Sequence, residues 1–136
     1  MDNFFSDNEL HLQDATEQEK LNMYFLRENI LNPLRKEKGE IVCTSGHRNK
    51  THNQLVGGDP HSHHLCISGY AAVDFKPKRC TLEDAFQYLK ENFDYAELIL
   101  EYDQGVIHVS INRLDKSKNI KRTSRRKLVK GKKTYY

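Results

Sequence analysis

The sequence predicts an α+β domain, a small antiparallel sheet with flanking helices. Three observations predict it: strand-like runs interleave irregularly with helical ones, one pair of runs carries a hairpin turn, and one helix carries a capping box. The box is Thr16 with Glu19 three residues on. It opens a helix over 17–31, and Pro33, which removes an N–H and disfavours a helical Asn32, sets off a second piece over 33–37. Gly39 ends it.

Ile41-Val42-Cys43-Thr44 reads as a strand running into Ser45-Gly46-His47-Arg48, where the chain turns. Residues 49–69 are rich in Gly, His, Asn, Asp and Ser without a sustained period. They predict a long loop with one helical turn near Lys50–Leu55, and long loops in compact domains usually carry function. Ala71-Ala72-Val73-Asp74-Phe75 returns to strand. Thr81 caps a helix whose Leu82, Ala85, Phe86 and Leu89 share a face. Residues 94–102 and 106–111 form two strands joined by Asp103-Gln104-Gly105.

A chain of 136 residues fits one domain and needs no covalent staples. Three cysteines without CxxC spacing read as buried thiols. No apolar run approaches the roughly 18 residues that span a bilayer. The acidic start, Met1 to Asp7, lacks the order of a secretory signal. The expectation is a cytoplasmic or virion-associated protein. Charge divides the chain unevenly: residues 113–136 carry +10 and the first 112 carry −7. The expected organisation is an N-terminal arm (1–15), a central domain (16–112) and a basic C-terminal tail (113–136). Such a tail suits polyanions or partner proteins, or it is a solvated, disordered end.

Seven histidines are present, four of them between positions 52 and 64. A catalytic zinc site takes three His or carboxylate ligands and leaves a fourth position for water. The order His64, Asp74, His108 offers such a set from a loop and two strands. Alternation within a strand sends His108 and Ser110 to one side and Val109 to the other.

Thr44-Ser45-Gly46-His47-Arg48, Asn53, Val56-Gly57-Gly58, Ser62-His63-His64, Gly69, Ala72-Val73-Asp74 and Ile107-His108-Val109-Ser110 together resemble the zinc D-Ala-D-Ala carboxypeptidase family. The likeness is strongest to its phage and bacterial cell-wall members and covers residues 18–111. Their pattern runs SGYR, N-x-x-VGG, S-x-H-x-x-G-x-A-x-D and W-x-H-V-S. The resemblance implies a D-Ala-D-Ala carboxypeptidase/hedgehog-like fold, with Zn2+ held by His64, Asp74 and His108. It also implies hydrolysis of peptidoglycan peptides in phage lysis or a virion. Arg48 falls on the arginine that assists substrate and oxyanion. Glu101 or Asp103 would be the general base, Glu101 by preference, with Ser62 and His47 near the substrate.

This sequence departs from the pattern in three places. Ten residues separate His64 from Asp74 where the family has seven, leaving His63 and His61 as alternative first ligands. His47 replaces tyrosine, and Val106 replaces tryptophan. The competing reading is a virion structural or attachment subunit that uses the same scaffold to bind.

Overall fold

The computed structural model describes the backbone of residues 4–129 and 132–135 and the side chains of residues 4–126. Strands β1 (Ile41–Ser45), β2 (Tyr70–Pro77), β3 (Glu97–Glu101), β4 (Val106–Asn112), β5 (Arg122–Val129) and β6 (Lys132–Tyr135) form one sheet. Its order is β1-β2-β4-β3-β5-β6. Helices α1 (Glu17–Leu26), α2 (Asn32–Lys38), α3 (Lys50–Leu55) and α4 (Leu82–Asn92) accompany it. The α+β architecture is the expected one.

Alternation decides what each sheet face does. Asp74 stands opposite His108 in the β2–β4 ladder, and Val73 opposite Val109. In the β3–β4 ladder Ile99 faces His108, and Leu98 faces Val109. Val73, Phe75, Leu98, Leu100, Ile107 and Val109 therefore share one face. They pack against Met23, Leu26, Ile30, Leu31 and Leu34 from the first helical region and Phe86 and Leu89 of α4. Glu97, Glu101, Asp74 and His108 occupy the other face.

The N-terminal helix begins as its sequence requires. Thr16 accepts from the Glu19 N–H, and Glu19 reaches back to Thr16 N. The break expected at Pro33 is softer than that. The helix widens to a π turn over Arg27–Leu31, where Asn32 N–H bonds the Arg27 carbonyl five residues back. Pro33 then sits in the first turn of α2, where its missing N–H and fixed φ are tolerated. Gly39 ends α2 at φ 84°. Thr81 caps α4 through the Asp84 N–H. The Cys43 and Cys66 thiols are pushed up to about 12, first of all by burial.

Three expectations change. The sheet is mixed, because β5 adds to β3 in parallel, with Glu97 opposite Arg122 and Glu101 opposite Arg126. The stretch expected as a basic tail thus holds two strands of the same sheet. Residues 122–126 offer no apolar face, and side-chain partners hold them instead. Thr123 meets the Tyr95 hydroxyl, and Arg125 meets Glu83 at 2.9 Å. Tyr135 and Tyr136, whose rings the sequence offers for stacking at the end of this stretch, lie outside the described side chains. Finally, residues 4–12, expected as an arm, belong to the core: Phe5, Leu10 and Leu12 are buried. A Cβ at Gly46 would collide with the Leu10 carbonyl, so a glycine is needed where this segment crosses the end of β1.

Candidate metal centre

Asp74 and His108 stand side by side on the cleft face of β2 and β4. His64 reaches them from a 3-10 turn, His63–Leu65, that packs over β2. Ser62 caps this turn by accepting from the His64 N–H. The three residues added between His64 and Asp74 do not displace the histidine. Cys66, Ser68 and Gly69 all take left-handed φ, coiling the extra chain into compact turns. Asn22 of α1 donates to the Cys66 carbonyl at 2.9 Å and secures the coil from below.

One donor atom from each of His64, Asp74 and His108 lies within 4.8 Å of the others. His64 Nε2 is 3.3 Å from Asp74 Oδ1, and His108 Nδ1 is 2.9 Å from the same oxygen. The second nitrogen of each ring is also held. His64 Nδ1 donates to the Gly46 carbonyl at 2.8 Å, and His108 Nε2 lies 3.3 Å from Glu97 Oε1. This pattern leaves His64 Nε2 and His108 Nδ1 aimed inward with outward acceptors behind them. Metal-binding imidazoles use the same arrangement to fix tautomer and orientation. Two imidazoles and a carboxylate converging this way, all largely buried, fit a divalent metal.

The same contacts set the electrostatics of the cluster. Burial works against the charged form of Asp74, yet hydrogen bonds from His108 and His64 win and hold its carboxyl well below the usual range. Burial opposes the charged form of His108 as well. Its bonds to Asp74 and Glu97 prevail and raise it to about 9. His64, with only Asp74 as an acidic partner, is lowered by burial. Glu97 lies well below its ordinary value because it accepts from His108 and His63.

Arg48 leans into the same cleft, with Nη2 3.9 Å from Asp74 Oδ2. It is braced by Ser45 Oγ at 3.3 Å and Asn53 Oδ1 at 3.4 Å, and its N–H bonds the His64 carbonyl at 2.9 Å. Ser62 and Glu101 also line the cleft, and Glu101 is ion-paired with Arg126. Asp103 occupies the β3–β4 turn outside the cleft lining. His47, expected near substrate, is buried with Nε2 2.9 Å from Glu19 Oε1, on the helix side. His61 lines the cleft mouth and His63 points to Glu97, so neither joins the three-residue cluster.

Sequence reasoning missed Glu97 and the stack behind it. His63 Nδ1 lies 3.1 Å from Glu97 Oε1 and 2.8 Å from Ser110 Oγ, and its ring stacks on Tyr70 at 3.8 Å. The available signal was alternation: Glu97 is two and four residues from Ile99 and Glu101, on the face that His108 shares.

Among the described residues no helix is long and apolar enough to cross a membrane. No curated protein and no solved structure matches this chain. The model of the peptidase M15 family, a family of metal-dependent peptidases, matches residues 5–110, from the buried N-terminal segment to the strand that carries His108. The chain belongs to the peptidase M15 family, that of the zinc D-Ala-D-Ala carboxypeptidases, as its motifs indicated.

Proposed function

We propose that this protein is a zinc-dependent peptidase that hydrolyses peptide bonds of bacterial cell-wall peptidoglycan, in phage lysis or within a virion. The observation that carries the reading is the convergence of His64 Nε2, Asp74 Oδ1 and His108 Nδ1 beside the Arg48 guanidinium, in an M15 chain. These three atoms would hold the ion. When bound there, zinc polarises a carbonyl and lowers the pKa of water from 15.7 to about 7.

The other residues have work that follows from their placement. Arg48, always charged and planar, stabilises the oxyanion that develops on the attacked carbonyl. Glu101 takes the proton of the attacking water and returns it to the leaving amine. It is the acid of the expected pair that lines the cleft. Glu97 orients His108 through Nε2. Ser62 fixes the turn that presents His64. The cell-wall substrate and the phage setting rest on the motif resemblance.

The deciding experiment measures zinc content and release of peptides from purified wall, comparing wild type with His64→Ala, Asp74→Ala and His108→Ala. One zinc per chain is expected in wild type, with loss of both zinc and activity in each variant while circular dichroism is retained. A folded wild type that binds zinc yet releases nothing would favour the binding subunit instead.

A further inference from the structure

Strand β5 lies beyond residue 110, where the family match ends. Yet it forms part of the same cleft. Its five-residue parallel register against β3 sets Arg122 beside Glu97, Ser124 beside Ile99 and Arg126 beside Glu101. By alternation these three residues of β5 share the face that carries His108 and Asp74. Arg126 lines the cleft and its guanidinium pairs with the Glu101 carboxylate.

The sheet order arranges the charges in a row. Arg48 lies just past β1, Asp74 on β2, His108 on β4, Glu101 on β3 and Arg126 on β5. The candidate metal centre therefore lies between two arginines. Adjacent strands are about 4.8 Å apart, so β5 runs about 10 Å from β4, the length of roughly three residues of extended peptide. Without β5, the wall at this distance would present Glu101 as a buried carboxylate lacking its arginine, and would repel an anionic substrate group. With β5, Arg126 cancels that charge and is the cation this strand brings to the cleft lining, its planar guanidinium suited to gripping a carboxylate, while Arg122 stands beside Glu97.

We propose that β5 adds a carboxylate-recognising subsite to the peptidase cleft, with Arg126 as its specificity-determining residue. The substrate it fits is a peptide bearing a carboxylate about three residues from the scissile bond, on the side away from Arg48. This rests on the reading of the cleft as a peptide site.

The test uses the full-length, zinc-loaded protein and two synthetic peptides ending in D-Ala-D-Ala. They differ in a glutamate or glutamine three residues before the scissile bond, and a methylene replaces the scissile carbonyl so that binding is read without turnover. Wild type is expected to bind the glutamate peptide about tenfold more tightly, the size of a hydrogen bond to a charged group. Arg126→Lys, which keeps the charge, should retain part of that ratio. The double variant Glu101→Gln/Arg126→Gln leaves no orphan charge in the wall and should bring the ratio to about one. Zinc affinity should be unchanged in both. Any effect of Arg126 on Glu101 as proton acceptor cancels, since both peptides share the scissile bond. Equal binding of the two peptides by wild type, or an unchanged ratio in the double variant, overturns the proposal. Hydrolysis of the unmodified peptides is scored separately. Discrimination without hydrolysis would sink the proposed reaction alone, and hydrolysis without discrimination would sink this subsite alone.

Discussion

The two faces of the central sheet are built from alternate residues of the same strands, yet they have opposite chemistry. On one, Val73, Phe75, Leu98, Leu100, Ile107 and Val109 are wholly excluded from water against the first helical region and α4. On the other, one residue away in each case, Asp74, His108, Glu97 and Glu101 gather four titratable groups around one cleft. The apolar face is the one that holds the molecule together. Ionised groups crowded in a partly desolvated cleft contribute little net stability, since desolvation offsets most of their attraction. The apolar face must supply the free energy that keeps them assembled.

Breaking the apolar face should have the largest effect on folding. Phe75→Ala removes a fully buried ring next to Asp74 and should cost about 3–5 kcal/mol, read from urea unfolding. The molecules that remain folded should bind zinc as wild type does. On the cleft face, Arg48→Ala should leave the urea midpoint within about 0.5 kcal/mol of wild type. It should lower kcat about 100- to 1,000-fold, through lost stabilisation of the oxyanion. Equal destabilisation by both substitutions would show that the two faces are not separable.

Glu97 lies on the cleft face and meets His108 at the ring's outer nitrogen. Glu97→Gln keeps the shape but weakens the acceptor that orients the imidazole. Zinc affinity, measured by competition with a chelating dye, should fall about 10- to 100-fold, as for other groups standing behind a metal ligand. Asp103→Asn, in the turn outside the cleft, should leave that affinity unchanged and serves as the contrast.

How much of this was legible in the sequence depended on the kind of signal. The capping box at Thr16, the N-cap at Thr81, the hairpin and the alternation around His108 are local, and they read correctly. So did the ordered motifs that mark the family, because each residue type there answers a chemical need. Glu97 escaped because its role is set by a neighbouring strand: only the register that puts Ile99 opposite His108 brings Glu97 to the outer nitrogen. His47 misled for the converse reason. Its place in a motif pointed to the cleft, while the packing of α1 offered it Glu19. Strand β5 escaped because strand recognition relies on an apolar face, and Arg122-Thr-Ser-Arg-Arg has none. Its lateral partners, Tyr95, Glu83 and Glu101, are distant in sequence and replace that face with hydrogen bonds and ion pairs.

That substitution of polar partners for apolar ones predicts the smallest effect, and it depends on pH. On the helix-facing side of β5, Arg125 lies over the Phe86 ring at 4.6 Å and donates to Glu83, which also accepts from the Tyr102 hydroxyl at 2.7 Å. The bond from Arg125, and then that from Tyr102, hold the Glu83 carboxyl below its ordinary 4.5. A carboxyl depressed in the folded state adds stability that is fully present above its unfolded value and is lost as the pH falls through the folded one. Glu83 is nearly half exposed, so solvent screening leaves about 0.5 kcal/mol. Glu83→Gln should therefore unfold at slightly lower urea than wild type near neutral pH, and the two curves should converge as the pH is lowered towards about 2. The core face of β3 and β4 has no titratable group, so Phe75→Ala should keep its full deficit over the same range. A Glu83→Gln deficit that did not shrink with acid would mean that β5 is held by packing alone, as the core face of β3 and β4 is.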